Sequence, residues 1–261
     1  MRYSFFHLVL SILAIILLIF ILAPLLKLVT GSSAELMVST IQEEEVYGSI
    51  LTTFKASLVA TLCTLVLGVP LAYILARFDF PGKSLVEGIV DLPVMVPHTA
   101  AGIALLTVFG TRFWGGKLFA KLGIEFIGKF AGIVIAMMFV SLPYLINEVK
   151  EGFKSINLRL EKVARTLGAS PLQTFFKISL PLNLNHIFSG SIMMWARGLS
   201  EFGAVVILAY HPMVAPILIY ERFASYGLKY SRPIAASLVI VTLFVFIGLR
   251  VLHSRSEKQD S

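Results

Sequence analysis

Arg197 and Glu201 stand four residues apart inside the apolar run Ile187–Ala209, a spacing that puts both on one helical face and lets them pair. A charge near mid-bilayer costs roughly 2.5–3.5 kcal/mol even on insertion scales, so it faces a partner or a cavity. Either the pair fixes one helix against its neighbour, or Arg197 tunes a path for an anion while Glu201 holds it in place. A free Glu201 would repel an anion, so both readings require the pair. Ser200 lies between the two charges. In another apolar run, His98 and Thr99 follow Pro93 and Pro97; His98 is either a hydrogen-bonded packing residue or part of a permeation path.

Little else could carry a reaction. Gly82-Lys83-Ser84 imitates the end of a phosphate-binding loop, but Arg77 occupies the position of its required first glycine. The lone Cys63 lies in an apolar run and reads as packing. No spacing supports a metal-ligand cluster or a catalytic triad, so an enzyme is not expected. A path for an anion needs several converging donors, and the apolar runs offer chiefly Arg197, Ser200, His98 and Thr99.

Those residues need a membrane to hold them. The chain has 261 residues, 57% hydrophobic and 14% charged, with mean hydropathy +0.87, far too apolar for a soluble domain. Six apolar runs approach spanning length: Leu8–Leu26, Ala56–Ala76, Leu92–Thr111, Phe130–Asn147, Ile187–Ala209 and Pro233–Leu249. The first is too long for a signal-peptide core and is expected to be retained. Residues 31–45, with Glu43-Glu44-Glu45, read as a polar external loop with room for a short amphipathic turn. Pro93 and Pro97 should bend or open the third helix, and Ala100, Ala101 and Ala104 offer it a close-packing face. The net charge of +7 sits largely in loops and tails, which topology explains without nucleic acid. Placing both termini in the cytoplasm puts Arg2, Arg77–Lys83, Lys150–Lys177 and the tail (Arg250, His253, Arg255, Lys258) inside, a modest excess of cations in the right direction.

One polar segment interrupts the apolar pattern. In residues 157–181, Leu158, Leu160, Val163, Ala164 and Leu167 follow helical spacing, and Gly168 suits the left-handed turn that ends a helix. Ser170-Pro171 restarts one, with Ser as N-cap and Pro at the first position, and Phe175, Phe176 and Ile178 continue it to Pro181. An ordered helix–Gly–helix hairpin presented to water implies something that docks there.

Glu161-Lys162-Val163-Ala164-Arg165-Thr166-Leu167-Gly168 with Ile178-Ser179-Leu180-Pro181 resembles the Glu-Ala-Ala loop of binding-protein-dependent ABC importer permeases. The spacing from Gly168 to Pro181 fits. Of the three motif positions, here Lys162, Val163 and Ala164, only the last matches, and Glu161 stands one residue early. The stretch Trp195–Ala204 is similar to the fifth-helix motif of molybdate, tungstate and sulfate permeases, and Asp91–Thr99 to their Pro-containing helix; Ala215–Glu221 looks closest to the molybdate/tungstate branch. The likeness runs from about Ile50 to Arg250.

The resemblance implies an all-α integral membrane protein of type I importer architecture, with six transmembrane helices. Residues 1–29 would add an N-terminal helix to a five-helix transmembrane domain at 50–250, with the coupling loop at 157–181. It implies a lipid-embedded pair of copies, two cytosolic ATPase subunits that hold ATP and Mg, and an extracytoplasmic binding protein. No cofactor is expected on this chain. Glu161, Lys162, Ala164, Arg165, Thr166, Gly168, Ala169, Pro171 and Pro181 would couple to the ATPase. Pro93, Pro97, His98, Thr99, Arg197, Ser200, Glu201 and Gly203 would form the path or its gate. The cargo implied is molybdate or tungstate, with sulfate as the near alternative. From a different class, an ion-coupled secondary transporter could use Glu201 and His98 instead.

Overall fold

The computed structural model describes Phe5–Glu257, and every regular element among those residues is a helix. Four are long and apolar enough to cross a membrane: Phe6–Thr30, Glu44–Arg77, Phe130–Ser155 and Leu228–Leu249; a bent pair counted as one span would make a fifth. The chain is an all-α, multi-pass membrane protein. Arg2 and Lys258, used above for orientation, lie outside the described residues, as do the side chains of Arg250, His253 and Arg255.

In chain order the helices are α1 (Phe5–Thr30), α2 (Ala34–Gln42), α3 (Glu44–Arg77), α4 (Lys83–Met95), α5 (His98–Phe109), α6 (Trp114–Ala120) and α7 (Phe130–Ser155). Then come α8 (Leu158–Thr166), α9 (Pro171–Thr174), a π-turn (Phe175–Ser179), α10 (Leu180–Leu182), α11 (Leu184–Leu199), α12 (Gly203–Leu208), α13 (Ala215–Tyr226) and α14 (Leu228–Glu257). Two compact units divide them: Met1–Ile50 with Leu218–Ser261, and Leu51–Ile217.

In the first unit, α14 packs with α1 and α2. The expected polar loop at 31–45 is instead largely helical. Ser33 caps α2 by accepting the Leu36 N–H (3.3 Å), and Glu44 and Glu45 open α3, where the helix dipole favours acids. Arg222 binds Glu45 (2.7 Å) and Glu43 (3.2 Å), and the Glu45 hydrogen bond raises its pKa above the ordinary arginine value.

The second unit contains the core, with Leu75, Ile133, Met137, Leu145, Phe153 and Met194 fully buried. Two of the six apolar runs are broken rather than continuous. Pro97 is disfavoured after a helical residue, and Val96 accordingly turns extended (φ −77°, ψ 131°). The chain then starts α5 at 116° to α4. Pro93, in the last turn of α4, does not break the helix. The fifth run ends α11 at Leu199 and restarts at Gly203. Of the predicted alanine face, Ala101 is fully buried, whereas Ala100 and Ala104 are exposed. Gly102 makes the close contact, since a Cβ there would sit 2.8 Å from Ile207 and 2.9 Å from the Ala204 carbonyl.

The main helix pair of the unit is α7 against α11. Gly152 lets them meet: a Cβ there would collide with Asn183 Oδ1 and lie 2.5 Å from His186, while Asn183 Nδ2 donates to the Val149 carbonyl (3.0 Å). Gly152→Ala is therefore expected to destabilise the unit by about 1–3 kcal/mol, the usual range for overpacking. A lowered melting temperature in detergent would register it, and an unchanged one would refute it.

Candidate functional site

The broken helices bring the predicted charges together. Gly203 lets the start of α12 approach the start of α5, since a Cβ on it would lie 2.7 Å from His98 Cβ. Glu201 sits in the gap after α11 and is fully buried. Its Oε1 accepts the Ala204 N–H (2.9 Å); its Oε2 meets Arg197 Nη2 (3.1 Å) and His98 Nδ1 (3.1 Å). Arg197 Nη2 also lies 2.8 Å from His98 Nε2, and Nη1 donates to Ser200 Oγ (3.3 Å). Arg197 Nη2 is also 3.2 Å from His98 Nδ1, so the imidazole is held against both the guanidinium and the Glu201 carboxylate.

The pair that both sequence readings require is formed. Glu201 has its acceptors engaged from three directions, as a buried carboxylate requires. Ser200 and Thr99 are exposed beside the cluster, and His98 and Arg197 are half-buried. Pro97 takes part by directing α5; Pro93 is buried in α4.

The polar hairpin is built as its residues dictate. Asn157 caps α8 by accepting the Arg159 N–H (3.0 Å). At its end Gly168, at φ +90°, donates to the Arg165 carbonyl, and Ala169 donates to the Ala164 carbonyl, both at 3.0 Å. Those two bonds make a Schellman stop. Ser170 and Gln173 form a capping box with Pro171 in the first turn of α9. Pro181 has no N–H for the Lys177 carbonyl, and its ring would crowd that oxygen. The preceding π-turn, closed by the Leu180 N–H to the Phe175 carbonyl, widens the helix there.

The hairpin's faces are the reverse of an ordinary surface helix. Leu158, Leu160, Val163 and Leu167 are exposed, Leu167 to 82%, and Leu172 and Phe176 extend the apolar surface. Lys162, Arg165 and Thr166 stand exposed among them, with Ala164 and Ala169 half-buried. The buried residue of α8 is Glu161. Glu161, grouped by the resemblance with the coupling residues, faces inward to Arg77, Tyr73 and Ser179. Sequence reasoning missed those three: Arg77 read as a span-end cation, and nothing in a spacing pattern pairs it with a residue 84 positions away. It also missed a polar ladder along α7, in which Asn147 binds Asp91 (2.6 Å), Glu148 binds His186 (2.9 Å) and Lys150 binds Glu87 (3.2 Å). A crevice at Val94, Pro143, Asn147, Glu148 and Met193 opens beside it.

Apolar spans, a charge cluster at helix breaks and a structured polar hairpin define a membrane transport subunit. Residues 68–258 match the family described as binding-protein-dependent transport system inner membrane component. The molybdate/tungstate transport system permease protein of Pyrococcus abyssi is 41% identical over 243 residues, covering 92% of this chain and 93% of its own. The probable sulfate transport system permease protein of Chlorokybus atmophyticus is 30% identical over 244 residues, covering 91% and 85%. Among solved structures, the bacterial ABC transporter involved in import of the acidic polysaccharide alginate shares the fold, with TM-score 0.75 at 19% identity, covering 96% of this chain and 95% of that one. The chain belongs to the binding-protein-dependent transport system inner membrane component family. It is the permease subunit of an ABC importer, and the ATPase is a separate subunit.

Proposed function

We propose that this permease carries molybdate or tungstate, delivered by a soluble extracytoplasmic binding protein. The observation that carries the cargo is the 41% identity, over nearly the full length of both chains, to a molybdate/tungstate permease. Two copies enclose the passage, and both termini lie in the cytoplasm. Each copy docks one cytosolic ATPase, which holds ATP and Mg, through the hairpin at 157–181. The apolar crown at Leu160, Val163, Leu167 and Leu172 supports that docking, because a water-exposed apolar patch rimmed by cations is what a protein partner covers. Lys162, Arg165, Thr166 and Ala169 rim the contact; Gly168, Pro171 and Pro181 set its shape.

On this reading, ATP binding draws the ATPases together, moves the hairpins and opens the passage to the receptor, and hydrolysis resets it. His98, Thr99, Arg197 and Ser200 line the path, Glu201 and Gly203 hold them there, and Pro93 and Pro97 shape the helix that presents them. Arg197→Ala is expected to impair uptake or assembly; a variant indistinguishable from the parent in both would remove Arg197 from the path.

Competition for uptake by the reconstituted complex with its cognate receptor tests the cargo. Molybdate and tungstate should each compete at concentrations at least about tenfold below sulfate, a difference of ~1.4 kcal/mol. Sulfate competing best would instead favour the second reading, supported by the 30% identity to a sulfate permease. Uptake that survives ATP depletion but stops when the ion gradient collapses would overturn both.

A further inference from the structure

We infer that Glu161 is a positioning residue that couples α8 rigidly to the inner end of α3, so that movement of the hairpin is delivered to the bundle through side chains as well as along the chain. The inference rests on the docking of an ATPase at the hairpin, and it assigns Glu161 a place on the inner side of that joint.

The geometry is that of a closed clasp. Arg77 is the last residue of α3, and its Nε donates to Glu161 Oε1 at 2.8 Å. Its Nη2 reaches the Ile156 carbonyl, just before α8, at 3.3 Å. Ser179 Oγ, from the π-turn, donates to the same Oε1 at 2.9 Å, and Tyr73 donates to Oε2 at 3.3 Å. The two charged side chains are only 5% and 9% exposed. Tyr73 extends the joint into an aromatic group, with ring centroids 5.1 Å from Phe153 of α7 and 4.8 Å from Phe175 of the π-turn. One carboxylate thus gathers donors from α3 and the returning turn, and its neighbours reach α7.

A buried ion pair of this kind is poor evidence for stability, since apolar packing of equal volume serves as well; its better-attested use is to fix one geometry among several. On a helix whose other face is bare, that geometry is the angle at which α8 is held. A stiff α8–α3 joint turns displacement of the hairpin into displacement of a span. A loose one lets the hairpin move while the span stays.

The test uses the complete complex in liposomes, with its receptor and with molybdate as the transported probe. For Glu161→Gln, the ATPase still co-purifies and hydrolysis persists, but molybdate taken up per ATP falls at least about fivefold, the lower end of ordinary coupling factors. An unchanged ratio overturns the inference. So does a loss in which uptake and hydrolysis fall together in proportion to the complex recovered, because that is a structural defect. If Glu161→Gln does not accumulate, Tyr73→Phe carries the test: it removes one donor and leaves the ion pair, and the ratio should still fall. Leu167→Asp, on the outer face, separates the two readings. It should lose the ATPase; if the ATPase stays, the docking reading fails and the inference with it. If Leu167→Asp loses the ATPase while Glu161→Gln and Tyr73→Phe couple normally, only the inference fails.

Discussion

Glu201→Leu should abolish uptake and cost about 3–5 kcal/mol, the range seen when one partner of a buried ion pair is removed. Leucine takes away the acceptor of the Ala204 N–H, the counter-charge of Arg197 and the partner of His98 Nδ1 in one change. The start of α12 loses its cap, and a guanidinium is left in a crowded site. Glu201→Gln separates these effects, because its amide oxygen can still accept from Ala204 while the charge is gone. Glutamine should therefore restore the yield of folded protein without restoring uptake. Yield in detergent and uptake in liposomes, measured for both variants, check this. Full transport by Glu201→Gln would mean that the pair only packs helices.

Gly168→Val should uncouple transport while leaving the membrane bundle folded. At φ +90° an L-residue with a Cβ is strained by about 1–2 kcal/mol, and a β-branched one is worse placed still. No other atom lies within 4 Å of where that Cβ would be, so the penalty is purely conformational and is relieved by unwinding the stop between α8 and α9. The core at Ile133, Met137 and Met194 is untouched. Gly168→Asn is the control, since asparagine visits the left-handed region far more readily. The valine variant should keep its thermal transition in detergent but lose ATP-driven uptake, and the asparagine variant should keep most of both. Normal uptake by purified complex carrying valine would count strongly against a coupling role for the hairpin.

Much of this was legible because it is local. The left-handed Gly168, the Ser170-Pro171 restart and the bend at Pro97 each follow from a residue's own backbone limits. The Arg197–Glu201 pair followed from spacing, although it closes across a helix break rather than along one helix. The break itself at Ser200–Phe202 was not read from the sequence: Arg197, Ser200 and Glu201 lower the hydropathy there, but the apolar residues on both sides read as one run. Periodicity marked the apolar face of α8 correctly but could not say that the face points outward, because a spacing pattern contains no inside. The partners of Glu161 were out of reach for the same reason: Tyr73, Arg77 and Ser179 converge only once α3, α8 and the π-turn are in place. Small residues were legible in part: Ala101 of the alanine face on α5 is buried, but the closest approach is at Gly102, which spacing did not single out.

The bare apolar crown bears on how such a protein is produced. A subunit made in excess of its partner would carry Leu160, Val163, Leu167, Leu172 and Phe176 uncovered in water. Under the proposed docking, that surface is sticky by the same physics that suits it to a partner. Solitary copies would then be withdrawn by aggregation or proteolysis, so matched synthesis of the two subunits, rather than affinity alone, would set how many finished assemblies a membrane holds.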